Sequence, residues 1–335
     1  MEAADRPVVV SGIRATGRLH LGNYLGAIRN FVPLQESHVC YYFIADYHTL
    51  TSLTDPEQLR GNLTEIVLDY LAAGLDPEKC IIFAQSSVPE IAELALLLSM
   101  VTTVGELQRC PTFKEKVRTQ PDNVNLGLLS YPVLMAADIL IQKAALVPVG
   151  EDQIPHIEMT QAIARRFNQR YGEVFPIPEA LLQKAIRVPG LDGSSKMGKS
   201  TGNTIELTDP PDVIRAKIAE AVTDTERRRR LDPGRPWECN LYALHEFVND
   251  EGAVSQINAD CRSAAIGCVD CKQMLATATI AFLEPFQTRR IEAACDSDYP
   301  ERLLHWGGQR ARQRAAETVE EVREKMGLRR FIKAF

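Results

Sequence analysis

The first half of the chain alternates short β-branched runs with longer helical stretches, and this alternation constrains the fold more than any other feature. One helical stretch covers 56–74, with Asp55 placed to cap its first turn and Gly74 where it should stop. Repeated strand–helix–strand units predict an α/β fold with a doubly wound parallel sheet. The predicted buried strands are PVVVSGI (7–13), VCYYFIA (39–45), CIIFAQ (80–85) and AALVPVG (144–150).

The pattern changes after about residue 205. Beyond that point strand candidates vanish, the periodicity is helical, and basic and cysteine-rich segments appear, among them ERRRR (226–230) and RARQR (310–314). A chain of 335 residues is too long for one small core. We therefore predict an α/β domain over residues 1–205 and an α-helical domain over residues 206–335.

Composition and local sequence exclude several classes of protein. No stretch approaches the ~18 consecutive apolar residues of a membrane span, and the start, MEAADRPVVV, lacks the basic region of a secretory signal. We therefore expect a cytoplasmic protein without a membrane partner. The net charge of −6 does not by itself indicate nucleic-acid binding. An RNA role would have to rest on the local basic runs.

The first candidate nucleotide site is SGIRATGRLHLGN (11–23), which follows the first strand and leads into a helix. Gly12 and Gly22 allow close backbone approach, and the helix N-terminus offers N–H groups to an anion. His20 and Asn23 stand at that terminus, where they can donate to phosphate oxygens. The segment is neither a dinucleotide fingerprint nor a P-loop, so alone it is a weak signal.

The second candidate is SSKMGKS (194–200), in which Lys196 and Lys199 stand three apart in a Gly/Ser-rich stretch. Two cations on such a loop can close over a polyphosphate and neutralise a leaving pyrophosphate. Taken alone, the segment fits a solvated basic loop better than a nucleotide site.

Together, His-x-Gly after the first strand and Lys-Met-x-Lys-Ser after the last resemble the paired signature of class I aminoacyl-tRNA synthetases. Further segments, in the family's order and covering residues 8 to about 226, narrow the resemblance to the tryptophanyl-tRNA synthetase family. These are GNYLGA (22–27), FKEK (113–116), YPVLMAADIL (131–140), VPVGEDQIPHIE (147–158), RFNQRYGEVF (166–175) and AVTDTE (221–226).

The resemblance implies a Rossmann-like catalytic domain and a helical domain that reads the tRNA anticodon. It also implies an enzyme that makes tryptophanyl-AMP and pyrophosphate from L-tryptophan and ATP, then transfers tryptophan to tRNA(Trp). The carboxylate nucleophile is already ionised at neutral pH, so positioning and phosphate charge stabilisation should carry the catalysis. ATP would come with Mg²⁺, held mostly by the nucleotide and water.

The implied site residues fall into two groups besides the tryptophan pocket. The implied catalytic groups are His20, Asn23, Lys116, Lys196 and Lys199. The implied ATP contacts are Gly12, Arg14, Ala15, Thr16, Gly22, Asn23, Gly150, Glu151, Asp152, Val188, Lys196, Met197, Gly198, Lys199 and Ser200.

Asp138 is the predicted specificity residue. Indole carries one N–H donor and no acceptor, while an ionised carboxylate only accepts. An aspartate inside an apolar wall therefore suits indole recognition, although Asp138 could also simply cap a helix or face solvent. The residues implied to hold tryptophan are His48, Tyr131, Met135, Asp138, Ile139, Val147, Val149 and Gln153, with Tyr131 and Gln153 on the ammonium.

Two positions depart from the family pattern. Arg14 stands where the family commonly has Gln, and Gly198 replaces the commoner Ser of the second motif. Arginine is a longer and permanently charged donor. It could bind the substrate carboxylate or a phosphate directly, or weaken the affinity for the amino acid. Both departures leave the level of activity open.

Four of the eight cysteines form the pattern C-x21-C-x6-C-x2-C: Cys239, Cys261, Cys268 and Cys271. In a reducing compartment such a set indicates metal ligands. Zinc usually takes two CxxC-like pairs and only one exists here, so the uneven spacing favours an iron–sulfur cube. A subset of the family is similar and carries a [4Fe-4S] cluster, with Zn²⁺ as the alternative. The remaining cysteines are predicted to be core or isolated residues.

The resemblance also implies a homodimer paired through residues around 100–135. Three other interpretations stay open at this stage. A tyrosyl-tRNA synthetase would share the fold and both motifs, a synthetase-like paralogue would have a regulatory or binding role, and a zinc-bearing RNA-binding module would need no intact nucleotide site.

Overall fold

The fold is built on a parallel five-stranded sheet, seen in a computed structural model that describes residues 6–119, 121–182, 186–198 and 201–328. The chain winds outward from β1 on one side and then crosses to the other side of β1, which confirms the predicted doubly wound topology. The strands, in the spatial order β3-β2-β1-β4-β5, are β1 (Val8–Arg14), β2 (Val39–Ala45), β3 (Cys80–Ala84), β4 (Leu146–Val149) and β5 (Glu179–Leu182).

Strand β5 is not among the predicted strands. Its sequence, EALL, contains no β-branched residue and is too short to show alternation, so pattern alone does not indicate a strand. It forms because Leu146–Val149 of β4 offers it a parallel edge, with Leu146 opposite Glu179.

The helices of the described residues cover both faces of the sheet, and none is both long and apolar enough to cross a membrane. They are α1 (Leu21–Asn23), α2 (Arg29–Phe31), α3 (Asp46–Thr49), α4 (Pro56–Ala73), α5 (Glu90–Ser99), α6 (Val104–Arg109), α7 (Pro111–Thr119), α8 (Leu126–Ile141), α9 (Ile154–Tyr171), α10 (Pro211–Glu220), α11 (Asn240–Val248), α12 (Glu251–Arg262), α13 (Cys268–Ala293) and α14 (Tyr299–Lys325). A π-helical turn, Tyr24–Ile28, joins α1 to α2.

Helix α4 has the ends that its sequence predicts. The Asp55 side chain accepts hydrogen bonds from the backbone N–H groups of Glu57 and Gln58. At the other end Gly74 adopts a φ of 104°, a left-handed conformation that glycine reaches without strain. Between β4 and α9, Glu151–Gln153 forms a 3₁₀ turn, so α9 begins at Ile154.

Two apolar cores lie on opposite faces of the sheet, since successive strand side chains point to opposite sides. On β2, Tyr41 and Phe43 pack on the face that α5, α8, α9 and α14 cover. Tyr42 and Ile44 pack on the other face, where α4 and α13 lie. The sheet is thus covered on both sides, as a parallel sheet requires.

The last helix, α14, lies against the sheet although it belongs to the C-terminal segment. A Cβ atom on Gly307 would lie 1.8 Å from the Ile82 carbonyl oxygen, so only glycine permits this approach to β3. Arg323 pairs with Glu93 of α5, with Nε 2.6 Å from a carboxylate oxygen. The division of the chain at residue 205 stays a prediction. Beyond it the described elements are helical, apart from a single bridge at Glu206.

Candidate functional site

A cavity of about 400 Å³ opens where β1, β2 and β4 end. Ligand sites in open parallel sheets lie at the carboxyl ends of the strands, where the winding direction changes. At its wall, a Cβ on Gly12 would lie 2.7 Å from the Phe43 carbonyl oxygen, so this position requires glycine. The lining includes every residue that the sequence analysis places around tryptophan: His48, Tyr131, Met135, Asp138, Ile139, Val147, Val149 and Gln153.

Asp138 of α8 is the acidic residue at one end of this cavity, and it is only 2% exposed. His48 Nε2 lies 2.9 Å from its Oδ2 atom, and Gln85 Nε2 donates to its Oδ1 atom over 2.7 Å. Burial raises the pKa of Asp138, and the hydrogen bond from His48 opposes that rise. Gln85, which the sequence analysis missed, therefore belongs to the same hydrogen-bonded group.

Tyr131 and Gln153 stand on another part of the wall, joined by a residue that the sequence analysis also missed, His156. Gln153 Nε2 donates to an Asp152 carboxylate oxygen over 3.0 Å, which turns its Oε1 atom toward His156 Nδ1, also 3.0 Å away. An amide oxygen only accepts, so the imidazole proton belongs on Nδ1.

The Nε2 atom of His156 is therefore an acceptor. Two hydroxyl groups lie within reach of it, that of Tyr131 at 2.8 Å and that of Thr112 at 2.9 Å. Nε2 has a single lone pair, and when Tyr131 is the hydroxyl that donates to it, the Tyr131 oxygen presents lone pairs rather than a proton to its surroundings. The network thus produces acceptors, the kind of group that binds an ammonium.

Arg14, at the end of β1, lines the same cavity and brings a positive charge to it. Its Nη2 atom donates to the Ser52 hydroxyl over 2.5 Å and lies 3.4 Å from that of Thr51. Its Nε atom is buried and has no hydrogen-bond partner in the described part of the chain. Burial lowers the pKa of Arg14, because the charged form loses hydration.

The first sequence motif forms the start of α1. His20 caps this turn by accepting from the Gly22 N–H at Nδ1 over 3.1 Å, and the His20 N–H donates to Asn23 Oδ1 over the same distance. Since Nδ1 accepts, the ring proton lies on Nε2, which makes that atom the donor. A Cβ on Gly22 would lie 2.9 Å from the ring, so glycine is needed for this arrangement.

The second motif is tied to the first by the chain that follows it. Residues 205–207 run beside the first motif, where the Leu21 N–H donates to the Ile205 carbonyl over 2.9 Å and the Leu207 N–H to the Leu19 carbonyl over 3.0 Å. Asn203, only 3% exposed, donates to the Lys196 carbonyl and accepts from the Gly198 N–H over 2.8 Å. The two motifs are thus neighbours although about 180 positions separate them.

The other predicted nucleotide residues lie nearby, with different exposure. Met197 and Val188 are both 2% exposed, and the Met197 N–H donates to the Val188 carbonyl over 2.9 Å. The Ala15 N–H donates to the Thr49 hydroxyl over 2.8 Å. Residues that are exposed or half-buried are Thr16, Gly150, Glu151, Asp152 and Lys196. Lys199 and Ser200 lie outside the described residues, as does the side chain of Lys116 in α7.

The four cysteines of the C-terminal pattern line one small cavity between the start of α13, the end of α12 and the start of α11. Arg227 Nη1 lies 3.8 Å from Cys261 Sγ and 3.9 Å from Cys268 Sγ. His245 Nε2 lies 3.4 Å from Cys271 Sγ. All eight cysteines are free thiols. In the described ranges, no three histidine, cysteine or acidic side chains are close enough to hold a single metal ion.

The two basic runs differ in their contacts. Arg310 donates to the Pro77 carbonyl over 3.0 Å, Arg312 to Glu90 over 2.7 Å, and Arg314 to the Gln142 carbonyl over 3.4 Å. This run therefore fastens α14 to the sheet domain. In the other run Arg228 and Arg229 are exposed side chains.

Comparison with known proteins agrees with this geometry. Residues 2–284 match the family of class I tRNA synthetases for tryptophan and tyrosine (W and Y). The tryptophan–tRNA ligase of Porphyromonas gingivalis is 46% identical over 96% of this chain and 99% of its own length. That of Deinococcus radiodurans is 45% identical over 95% of this chain and 98% of its own.

The chain belongs to the tryptophanyl-tRNA synthetase family. A crystal structure of the Campylobacter jejuni tryptophanyl-tRNA synthetase, complexed with ADP and tryptophan, matches it with a TM-score of 0.88 and 35% identity. The match covers 96% of this chain and all of that one. The predicted fold, class of enzyme and tryptophan–tRNA ligase activity are confirmed.

Proposed function

We propose that this tryptophan–tRNA ligase binds L-tryptophan in the cavity at the ends of β1, β2 and β4 and forms tryptophanyl-AMP at its mouth. The observation that carries the proposal is Asp138, a buried carboxylate in a cavity that Met135, Ile139 and Val149 also line. The indole N–H needs such an acceptor, and Met135 and Val149 supply apolar contacts to the ring. A side chain without that donor would leave the carboxylate buried and unpaired, which costs binding.

The ammonium group of the substrate would bind to the acceptors that His156 organises. The Tyr131 oxygen and the Gln153 side chain both line the cavity, and Asp152 adds a negative charge close to Gln153. Two polar ends then define the orientation of the amino acid, one for the ring N–H and one for the ammonium.

Arg14 would bind the carboxylate of tryptophan rather than a phosphate. Arg14 is half-buried, and its buried Nε atom has no hydrogen-bond partner among the described residues, which points to an anion supplied by the ligand. The cavity that Arg14 lines contains the predicted tryptophan residues, whereas His20 and Lys196 of the phosphate motifs do not line it. Fixing the carboxylate beside the α-phosphate favours attack by positioning alone.

The phosphates of ATP would meet the start of α1 and the second motif. His20 presents its Nε2 proton and Asn23 its amide group there, and Lys196 stands on the loop that residues 203–207 hold against the first motif. Cations and N–H donors stabilise the charge that develops as pyrophosphate leaves. Lys199 and Lys116 are proposed for the same role by resemblance. Mg²⁺ bound with ATP would neutralise further phosphate charge.

Transfer to tRNA(Trp) would follow, with the helical segment reading the anticodon. Because Arg310, Arg312 and Arg314 bind the protein itself, the exposed Arg228 and Arg229 are the better candidates for backbone phosphates.

We also propose pairing of two copies through residues around 100–135. Met100, Val104 and Leu126 expose 57%, 59% and 76% of their surface there, and exposed apolar patches mark interfaces.

We propose that Cys239, Cys261, Cys268 and Cys271 hold a [4Fe-4S] cluster. The donor set suits a cluster, because four thiols line one cavity and the uneven spacing of the four cysteines favours a cube. Burial, together with the neighbouring thiols, raises the pKa of Cys271 to about 12, so thiolates there need a cation. The buried and unpartnered Nε of Arg227 faces the same region. A bound cluster would supply structural cross-links or electron transfer, and zinc is the alternative.

The deciding experiment is tryptophan-dependent exchange of labelled pyrophosphate into ATP. Asp138→Ala should lower kcat/KM for tryptophan about 100-fold, because a hydrogen bond to a charged group contributes about 1.5–3 kcal/mol and the cavity also loses packing. KM for ATP should stay nearly unchanged. The exposed Asp212, replaced by Ala, is the control and should behave as wild type.

Exchange at the wild-type rate in Asp138→Ala would show that the pocket assignment is wrong.

A further inference from the structure

Gln85 is a buried polar residue beside the cavity, and the proposed function gives it no role. It begins the 3₁₀ turn Gln85–Ser87, directly after β3, and its surface is 0% exposed. It does not line the cavity, so it touches no ligand there. Its side chain nevertheless reaches Asp138, which lies 53 positions further along the chain.

The orientation of the Gln85 amide is fixed from both ends. Its Nε2 atom lies 2.7 Å from Asp138 Oδ1, and its Oε1 atom accepts from the His48 backbone N–H over 3.4 Å. A backbone N–H can only donate and an ionised carboxylate can only accept, so the opposite orientation of the amide would lose both hydrogen bonds.

The turn that carries Gln85 is itself held in place. Asp46 accepts from the Ser86 backbone N–H at Oδ1 over 3.0 Å and from the Ser86 hydroxyl at Oδ2. Asp46 also begins α3, which carries His48. The two groups that bind Asp138 therefore come from elements that are hydrogen-bonded to each other.

This arrangement leaves a defined set of acceptor positions on Asp138. An ionised carboxylate has about four lone-pair positions. Gln85 occupies one position on Oδ1 and His48 one on Oδ2, and the residue borders the cavity. With each oxygen held by one donor, the carboxylate plane cannot rotate freely, and the remaining lone pairs keep a fixed direction.

We propose that Gln85 is a positioning residue for tryptophan selection: it fixes the Asp138 carboxylate so that an acceptor lone pair meets the indole N–H. This inference rests on the proposed role of Asp138. Gln85 would not touch the ligand, yet it would contribute to the discrimination between indole and rings that lack an N–H. A donated hydrogen bond also favours the ionised, purely accepting form of a buried carboxylate.

The test compares the binding of L-tryptophan with that of L-β-(benzothiophen-3-yl)alanine, in which sulfur replaces the ring N–H. Affinities are measured by titration calorimetry with full-length protein. Gln85→Met keeps the volume but removes the donor, and it should weaken tryptophan binding about 10-fold while the analogue binds nearly as before. The preference for tryptophan over the analogue should therefore fall by a similar factor.

Gln85→Glu is the second variant, in case Gln85→Met fails to fold. It places a second carboxylate beside Asp138, and two acids at that distance share a proton. We expect the same loss of preference for tryptophan, or a larger one.

Gln35→Met is the matched control. Gln35 is also buried, at 5% exposure, and also uses both ends of its amide, donating to the Gly74 carbonyl over 3.0 Å and accepting from the Asp76 N–H over 2.9 Å. It is not among the cavity residues. Gln35→Met should leave the preference for tryptophan unchanged, whatever it does to the melting temperature.

Equal losses of affinity for tryptophan and the analogue in both Gln85 variants would overturn the inference, because they would indicate a structural role only. Unchanged binding of both ligands would overturn it as well. If Asp138→Ala impairs tryptophan binding while the Gln85 variants do not change the preference, the proposed function stands and this inference alone is wrong.

Discussion

The amino-acid cavity and the four-cysteine site differ in how their polar groups are satisfied. In the cavity, Asp138 and His156 are buried, and each is hydrogen-bonded to groups of the chain itself. At the cysteine site, Cys261 and Cys268 both lie near Arg227. The chain alone organises the first region, whereas a metal is proposed to complete the second.

The difference shows what fixes the positions of the polar groups in each region. Preorganised donors and acceptors cost little reorganisation when substrate arrives, which suits an enzyme that must select one amino acid. Neighbouring thiols are stabilised by metal binding: they must lose protons to act as ligands, and the metal–thiolate bonds offset that cost. We therefore expect mutations at the cysteine site to have structural effects, and mutations in the cavity to act on individual groups of the substrate.

The largest expected effect, complete loss of the bound metal, follows from Cys271→Ser. Loss of one ligand should abolish the iron and labile sulfide of anaerobically purified protein, together with absorbance near ~400 nm. Aminoacylation of tRNA(Trp) should fall about 10-fold or more. The proposed anticodon-reading surface would lose its cross-link, and its contacts with the tRNA phosphates would then no longer be aligned. Pyrophosphate exchange, which needs no tRNA, should stay within about twofold of wild type.

The control for that experiment is Cys295→Ser, since Cys295 is exposed and lies outside the cavity. It should keep the full metal content. Colourless wild-type protein with stoichiometric zinc would show that the site binds zinc and not a cluster. Metal-free wild-type protein with full aminoacylation would show that the cysteine site needs no metal, and the contrast between the two regions would be wrong.

Much of the fold could be predicted from sequence, because buried strands such as Val39–Ala45 are continuous apolar runs and α4 has clear caps. β5 could not, since it depends on an edge that β4 provides. The cavity residues come from separated segments of the chain, and local pattern does not bring such segments together. The resemblance to a family placed them in one site.

Neither sequence pattern nor the resemblance to a family predicted the roles of Gln85 and His156. A glutamine after a strand or a histidine on a helix has no local signal, and each role arises from hydrogen bonds between distant positions. Arg14 shows the opposite case, since the sequence indicated a departure from the family but left its partner open. In the structure the Arg14 Nε atom is buried and Arg14 lines the cavity, and both observations favour the substrate carboxylate as its partner.

The next largest effect is expected for Arg14→Met. Removing the guanidinium should raise KM for tryptophan about 30-fold, because a hydrogen bond between charged groups contributes about 1.5–3 kcal/mol. Binding of tryptamine, which lacks the carboxylate, should change less than about twofold. Calorimetry with both ligands, together with KM for ATP from exchange assays, measures the difference.

Arg60→Met is the control, because Arg60 is exposed and pairs with Glu57 on the surface of α4. It should match wild type for both ligands. A raised KM for ATP with unchanged tryptophan binding would instead assign Arg14 to a phosphate. The group that binds the carboxylate of tryptophan would then have to be a different one.

The smallest effect is expected for His156→Phe, which acts on acceptors that His156 only orients. Without Nε2, the Tyr131 hydroxyl loses its acceptor at 2.8 Å, and Gln153 loses the partner that fixes its Oε1 atom. We expect KM for tryptophan to rise about 10-fold, in line with the loss of about one neutral hydrogen bond. Indole-3-propionate, which has the carboxylate but no ammonium, should bind as it does to wild type. Equal weakening of both ligands would mean that the histidine serves packing, and the claim that the chain alone organises this end of the cavity would fail.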